Sequence, residues 1–212
     1  MNAGDTRMQQ FGALVQAIVS GEVEAAKKML RASPQLAKER AVYGATRQTA
    51  GENFYKEILH YIYEGDTALH MAAAAYQEQI VTELIARGAD VRAKNRRGAE
   101  PIHYAADGVP GSPAWNPDAQ AATIGCLIAA GADVNVVDKS GVAPLHRAVR
   151  TRCAAAVKAL LDSGADARAA NGKDSTPILL ATQNTGRGGT GSVAAKVQQA
   201  EILRLLREHG AM

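Results

Sequence analysis

Aromatic residues are scarce in this chain. One Trp, six Tyr and two Phe make up only 4% of its 212 residues. Aromatic side chains bury the most apolar surface per residue, so a single thick core normally uses more of them. Alanine is abundant instead, and small side chains let helices approach closely. The composition therefore favours a stacked array of helices over one compact core.

Cysteine is also rare. Cys126 and Cys153 are the only two, and they have neither the spacing of metal ligands nor the number of a disulfide framework. Free cysteines are commonly buried as small hydrophobic residues, which is the role predicted for both. We therefore expect no metal site and no cofactor.

Strong charge and long apolar runs are absent as well. A formal net charge of +3 is too small to indicate a nucleic-acid or membrane-surface partner. No apolar run approaches the about 18 residues of a membrane span. The start, MNAGDTRMQQ, lacks the cationic and apolar regions of a signal peptide. We expect a cytoplasmic protein that binds neither nucleic acid nor membranes.

Similar segments recur along the chain. They are GDTALHMAA from Gly65, GAEPIHYAA from Gly98, GVAPLHRAV from Gly141 and DSTPILLAT from Asp174. A second landmark, RGADV, AGADV or SGADA, precedes each later start, and the distance from its glycine to that start is the same every time. The first and third intervals between starts are equal and match a period of about 33 residues. The middle interval is longer, so particular repeats carry insertions.

Each unit is predicted to be a turn, a helix, a turn and a second helix. Thr176 before Pro177 supplies an N-cap acceptor and a first-turn proline. Val157 and Leu160 have the spacing of one buried helical stripe. Gly164 follows that stripe, where a left-handed cap ends a helix. No unit can bury its apolar face alone, so neighbouring units must stack.

These segments resemble the ankyrin repeat, whose signature is T-P-L-H-x-A in a 33-residue period. The resemblance implies an all-α repeat solenoid, an ankyrin-like stack of helix-turn-helix units with β-hairpin turns and about five repeats including an N-terminal cap. It also implies a concave surface, formed by hairpin tips and first helices, that binds a protein partner. The predicted single domain, 1–212, divides into a cap at 1–37, an aromatic-rich insertion at 38–64 and repeats at 65–97, 98–140, 141–173 and 174–212, with insertions near 108–117 and 184–196.

Three histidines share one repeat position. His70, His103 and His146 stand at the same distance after the starts of their repeats. The resemblance implies that this histidine makes local hydrogen bonds between turn and helix. We therefore predict a structural role for all three and no metal site.

Two insertions open on the same edge of the predicted solenoid. One lies around GVPGSPAWNP, and the other includes TGRGGTGS. Four arginines are then predicted to lie near a notch between these loops, namely Arg147, Arg150, Arg152 and Arg187. Their guanidinium groups could bind a carboxylate, a phosphate or an acidic peptide. The alternative is solvated arginines at helix ends, with a surface ion pair between Asp107 and Arg150.

The segment TGRGGTGS matches the spacing G-x-G-x-x-G, yet it does not indicate a nucleotide site. A dinucleotide fingerprint needs a preceding strand, and a repeat helix precedes this segment. Ser192 and Val193 also stand where a phosphate loop has its lysine. The segment is therefore predicted to be an inserted loop whose amides and Arg187 contribute to the notch.

Trp115 is the only tryptophan and lies in a proline-rich loop. Two interpretations remain open. An exposed ring on a stiffened loop is typical of a binding anchor. The loop can equally fold back as a lid over the helix ends.

Five aromatic residues concentrate between positions 43 and 63. FYKEILHYIYE has helix-compatible spacing and then alternates. In one interpretation His60, Tyr61 and Tyr63 line a pocket. In the interpretation that we favour, the segment packs over the N-terminal cap, and part of it faces the concave groove.

The sequence therefore predicts a noncatalytic protein-interaction module. No nucleophile–base pair or carboxylate pair has catalytic spacing. The alternative is a receptor for a small molecule or anion, such as an acidic peptide, at the notch. The candidate binding residues are Trp115, Arg147, Arg150, Arg152, Arg187, Asp107, Tyr104, His60, Tyr61 and Tyr63.

Overall fold

The computed structural model describes residues 3–183 and 191–211. Five pairs of helices follow one another within these ranges. They are α1 (Ala3–Val19) and α2 (Val23–Ala32), α3 (Ala68–Ala74) and α4 (Glu78–Ala86), α5 (Pro101–Ala105) and α6 (Pro117–Ala129), α7 (Pro144–Arg150) and α8 (Ala154–Asp162), and α9 (Pro177–Thr182) and α10 (Val193–Glu208).

The helices form two layers. The first helix of each pair packs on the first helices of its neighbours, in the order α1, α3, α5, α7 and α9. The second helices stack in the same way, from α2 through α4, α6 and α8 to α10. One continuous apolar core runs between the layers, from Leu14 to Leu206. The predicted all-α repeat solenoid is confirmed.

The ends of the helices follow the sequence signals. The Thr176 hydroxyl accepts a hydrogen bond from the Leu179 amide at the start of α9. Gly88, Gly131 and Gly164 follow the second helices with φ angles of 81°, 97° and 90°, a region that glycine occupies without steric cost. These signals fix where each helix begins and ends, and hence the length of the repeat.

The repeat histidines link one repeat to the next. His103 is fully buried, its Nδ1 accepts from the Glu100 amide at 3.1 Å, and its Nε2 lies 3.0 Å from the Val142 carbonyl oxygen. His70 and His146 make the equivalent pairs of hydrogen bonds. The carbonyl can only accept, so Nε2 carries the proton and the ring is neutral. The predicted structural role is confirmed. The hydrogen bonds from Nε2 of His70 and His103 to a carbonyl of the following repeat are additional contacts between neighbouring repeats.

The aromatic-rich insertion folds differently from the helical spacing noted in its sequence. Short 3₁₀ turns at Pro34–Lys38 and Gly51–Asn53 precede a β-hairpin of β1 (Phe54–Tyr55) and β2 (His60–Tyr61). The turn between the strands closes at Leu59, whose φ is 52°. Pairing of the strands brings the rings of Phe54 and Tyr61 to 4.7 Å. The helix-compatible spacing therefore does not produce a helix, and the alternating end of the segment contains the strand β2.

Candidate functional site

A cavity of about 560 Å³ opens on the side of the solenoid formed by the first helices. We call it the groove cavity. Its walls are the inserted hairpin, the inner faces of α5 and α7, the loop at 106–116 and the turns that carry Arg97, Ser140 and Lys173. The sequence placed the candidate residues on two opposite edges, and the structure brings most of them to this one cavity. These are His60, Tyr61, Tyr63, Tyr104, Asp107, Trp115, Arg147 and Arg150.

A buried arginine organises the floor of the groove cavity. Arg147 is 8% exposed, and its guanidinium donates to Asp107 at 2.9 Å and to Asp138 at 3.1 Å. Burial alone would raise the pKa of the Asp107 carboxyl, but Arg147, His60 and Arg150 outweigh burial and hold that pKa well below its usual range. The pKa of Asp138 is lowered in the same way, against burial, by two backbone amides and Arg147. Both carboxylates are therefore ionised and bound at neutral pH.

Arg150 is bound much less tightly than Arg147. Its side chain is 39% exposed, and its nearest carboxylate oxygen, on Asp107, is 3.9 Å away. An exposed pair at this distance contributes little to stability, about 0–1 kcal/mol. The predicted surface pair between Asp107 and Arg150 therefore exists, and it leaves most donors of Arg150 open to the cavity.

The inserted hairpin forms one wall of the cavity. The His60 ring lies 4.3 Å from the Tyr104 ring, and its Nε2 lies 3.7 Å from a carboxylate oxygen of Asp107. Tyr63 lies beneath the guanidinium of Arg97, at 4.9 Å. The hairpin thus contacts α5 and the adjacent turn. Part of the insertion faces the groove as expected, whereas these contacts do not place it over the N-terminal cap.

Tyr104 forms the base of the cavity and is committed to the fold. Its hydroxyl donates to Asp66 at 2.7 Å, and its ring is 1% exposed. Burial and the Asp66 carboxylate raise the pKa of Tyr104 well above its usual value. Tyr104 therefore supplies an apolar surface beside His60 and keeps its proton.

Trp115 lies at the far end of α5 and folds back against the core. Its indole nitrogen donates to Gln120 at 2.9 Å, and Gln120 in turn donates to the Ala105 carbonyl. The ring is half-buried and also lines the groove cavity. The loop thus folds back toward the helices, as the lid interpretation expects, and the ring keeps one surface toward the cavity, so a role in binding remains a prediction.

Of the predicted arginines that the structure describes, Arg152 does not reach this cavity. Arg152 is 1% exposed and donates to the carbonyl oxygens of Val149, Leu180 and Gln183. Its guanidinium links α7 to α9 through these hydrogen bonds, so its assignment to a ligand site is wrong. Arg187 lies outside the described residues, as does most of the glycine segment. The predicted notch between that segment and the Trp115 loop therefore remains a prediction, and the described residues form a cavity between the Trp115 loop and the hairpin.

Three residues that complete the site are not among the candidate binding residues predicted from the sequence, although Arg97 and Asp138 stand at the hairpin tips expected to face a partner. Asp138 binds Arg147, Arg97 stacks on Tyr63, and the Tyr76 hydroxyl donates to the Asp107 carbonyl at 2.5 Å. Charge at these tips is normally solvated, so residue type did not single out either one. Only the folded groove brings them together.

Within residues 3–183 and 191–211, no group of side chains has the makeup of a metal site. No helix in these ranges is long and apolar enough to cross a membrane.

Comparison with known proteins is consistent with the fold and the repeat. The family model for ankyrin repeats (three copies) matches residues 14–112 and 118–212. No curated protein matches this sequence. Ankyrin repeats are generally protein–protein interaction modules. The matched segments cover most of the chain, and the chain belongs to the ankyrin repeat family.

Proposed function

We propose that this chain is a noncatalytic interaction module that binds a segment of a protein partner in the groove cavity. The single observation that carries the proposal is the cavity itself, about 560 Å³ between two insertions that interrupt the repeat. Here the hairpin and the Trp115 loop wall the groove at two sides, which supports recognition of an inserted side chain rather than a flat contact.

The character of the walls supports a protein ligand. Tyr61, Tyr63 and Trp115 offer partly exposed rings. Tyr, Trp and Arg are the residues that most often dominate binding energy at protein interfaces. The two carboxylates of the cavity are bound by Arg147, so neither is placed to act as a free general base. Binding, rather than catalysis, is what this arrangement serves best.

Selection from a random peptide library on the immobilised protein tests the proposal. Isothermal titration calorimetry then measures the affinity of the selected peptides. Ser140→Trp places an indole at an exposed position of the cavity wall, and Ala114→Trp does so at the opposite wall. Ala122→Trp is the matched control, because Ala122 is exposed on α6, outside the cavity.

We expect both cavity variants to weaken peptide binding at least tenfold, and we expect Ala122→Trp to bind like the wild type. Circular dichroism and melting temperature confirm that each variant is folded. The proposal fails if no peptide is selected, or if folded Ser140→Trp and Ala114→Trp bind as tightly as the control.

A receptor for a small molecule is the second candidate function. The volume of the groove cavity favours it, because ligand pockets commonly occupy about 300–1,000 Å³. A thermal-shift screen of carboxylates, phosphates and nucleotides tests it, since a ligand at 100 times its dissociation constant adds about 2.7 kcal/mol of stability. A shift that Ser140→Trp abolishes supports the receptor, and the absence of any shift rejects it.

A further inference from the structure

Positive charge exceeds negative charge around the groove cavity. Four cationic side chains line it, namely Arg97, Arg147, Arg150 and Lys173, against the two carboxylates of Asp107 and Asp138. These six side chains therefore carry a formal charge of +2. This excess is concentrated in one concave surface, although the whole chain carries only +3.

The two carboxylates of the cavity are paired with arginines of α7. Asp107 and Asp138 both bind Arg147, and Asp107 also lies near Arg150. Arg97 and Lys173 are exposed at the tips between repeats. In the described ranges, neither has a carboxylate within salt-bridge distance. These two tips, which we call the cationic tips, therefore present uncompensated charge to whatever occupies the groove.

The other end of the cavity has unused hydrogen-bond donors. Among the described residues, the buried Nε of Arg147 and Oγ of Ser112 have no hydrogen-bond partner, and both residues line the cavity. Arg150 lies beside Arg147, because both guanidiniums approach Asp107. Leaving a buried donor unsatisfied costs about 1–3 kcal/mol, and more when the group is charged. An occupant that carries an acceptor, and preferably an anionic one, relieves that cost.

Helix α7 connects the two ends and sets their separation. Its span, Pro144–Arg150, rises by roughly 9–10 Å along the helix axis. An extended chain advances about 3.3 Å per residue, so about three residues of a bound segment span this distance. The rings of Tyr61, Tyr63 and Trp115 provide apolar contact for the residues between. A free ion uses neither this length nor these rings, whereas a peptide segment uses both.

We propose that the groove cavity docks an extended partner segment bearing two acidic side chains about three residues apart, one for the Arg150 end and one for the cationic tips. This inference rests on the function proposed above. The carboxylate at the Arg150 end accepts hydrogen bonds from Arg150 and from the unpaired donors beside it. The second carboxylate lies at Arg97 and Lys173, where an Arg fork gives directional recognition and a Lys adds charge.

The experiment uses the peptides selected on the full chain. We expect Asp and Glu to be enriched at two positions about three residues apart. Calorimetry then compares the wild type with Arg150→Gln and with the double variant Arg97→Gln/Lys173→Gln. The matched control is Lys28→Gln/Arg31→Gln, which removes the same charge from exposed positions of α2 that do not line the cavity.

Each cavity variant should weaken binding about tenfold, which corresponds to about 1.4 kcal/mol. The control should stay within twofold of the wild type. Raising the ionic strength from about 0.05 to about 0.5 M should weaken wild-type binding and should affect the cavity variants less, because salt screens exposed charges.

Two results overturn this inference while the proposed function stands. One is a set of peptides that Ser140→Trp blocks but that lack acidic residues or carry basic ones. The other is affinity for acidic peptides that the two cavity variants leave within twofold of the control. The inference also fails if glutarate alone binds as tightly as the peptides, because the site then takes a small acid instead of a protein segment, as the second candidate function expects. Failure of the proposed function itself would instead appear as no selected peptide, or no effect of the cavity-blocking tryptophans.

Discussion

Replacing Arg147 with methionine removes the guanidinium that bridges two carboxylates in the floor of the groove cavity. Methionine keeps most of the unbranched stem, so the main loss is the pair of hydrogen bonds to Asp107 and Asp138, 2.9 and 3.1 Å long. Removing one partner of a buried ion pair typically costs about 3–5 kcal/mol, because the remaining charge is left buried. Asp138 keeps two backbone donors, and Asp107 keeps Arg150 nearby. We therefore expect the lower end of that range, about 3 kcal/mol of unfolding free energy at pH 7.

The unfolding free energy lost in Arg147→Met should be smaller at acidic pH. Arg147 depresses the pKa values of both carboxyls in the folded wild type, so its contribution is complete above their unfolded pKa of about 3.9 and disappears as pH falls through the folded values. Without Arg147, burial moves these pKa values upward, and protonation near pH 4 relieves the strain of an unpaired charge. The difference between wild type and Arg147→Met should therefore narrow by about 1 kcal/mol between pH 7 and pH 4.

Urea unfolding followed by circular dichroism at both pH values measures this difference. Arg152→Met is the matched control, because Arg152 is also buried but donates to carbonyl oxygens, which do not titrate. Its destabilisation should be the same at both pH values. The reasoning is refuted if Arg147→Met costs less than about 1 kcal/mol at pH 7, or if both variants show the same pH dependence.

Two further predictions concern the links between repeats. Burial, reinforced by the nearby Arg147 cation, lowers the pKa of His103 to about 4, so the unfolding free energy of the wild type should fall as pH drops from about 6.5 toward 4. His103→Gln should make that fall smaller by about 3 kcal/mol. An unchanged pH dependence in this variant would argue against a neutral ring bonded to the Val142 carbonyl. Gly141→Ala should lower the unfolding free energy by about 2 kcal/mol, because φ is 68° and the new Cβ would lie 2.5 Å from the Gly172 nitrogen. Gly125→Ala, where nothing lies within 4 Å of the new Cβ on α6, should be neutral or stabilising, and equal effects of the two alanines would contradict the steric argument.

The repeat architecture could be predicted from the sequence because its signals are local. A cap hydroxyl such as Thr176 and a terminal glycine such as Gly164 act within a few residues of their own position. The histidines likewise recur at a fixed distance from three of the four starts, and Leu179 stands at that position in the fourth. Because such signals recur along the chain, the period and the insertions could be read without knowing any distant contact.

The groove cavity could be predicted only in part, because its geometry comes from contacts between distant residues. His60 and Asp107 are far apart in the chain, and no local pattern announces that they meet. The helical spacing of the insertion was overridden when its strands paired. Arg150 and Arg152 are not distinguished by their sequence context. In the structure the Arg150 side chain is 39% exposed, whereas Arg152 is buried and donates to the carbonyl oxygens of Leu180 and Gln183. Packing between the helices therefore determines which arginine is buried and which remains exposed at the cavity.

Hydrogen–deuterium exchange with and without a selected peptide tests the location of the binding site most directly. The account predicts slower exchange at 58–63, 107–115 and 147–151, which form the walls of the groove cavity. Exchange in α4, α6 and α8 should be unchanged, since these helices form the opposite layer. Protection confined to that opposite layer, or binding without protection of any cavity wall, would contradict the claim that the two insertions build the binding site.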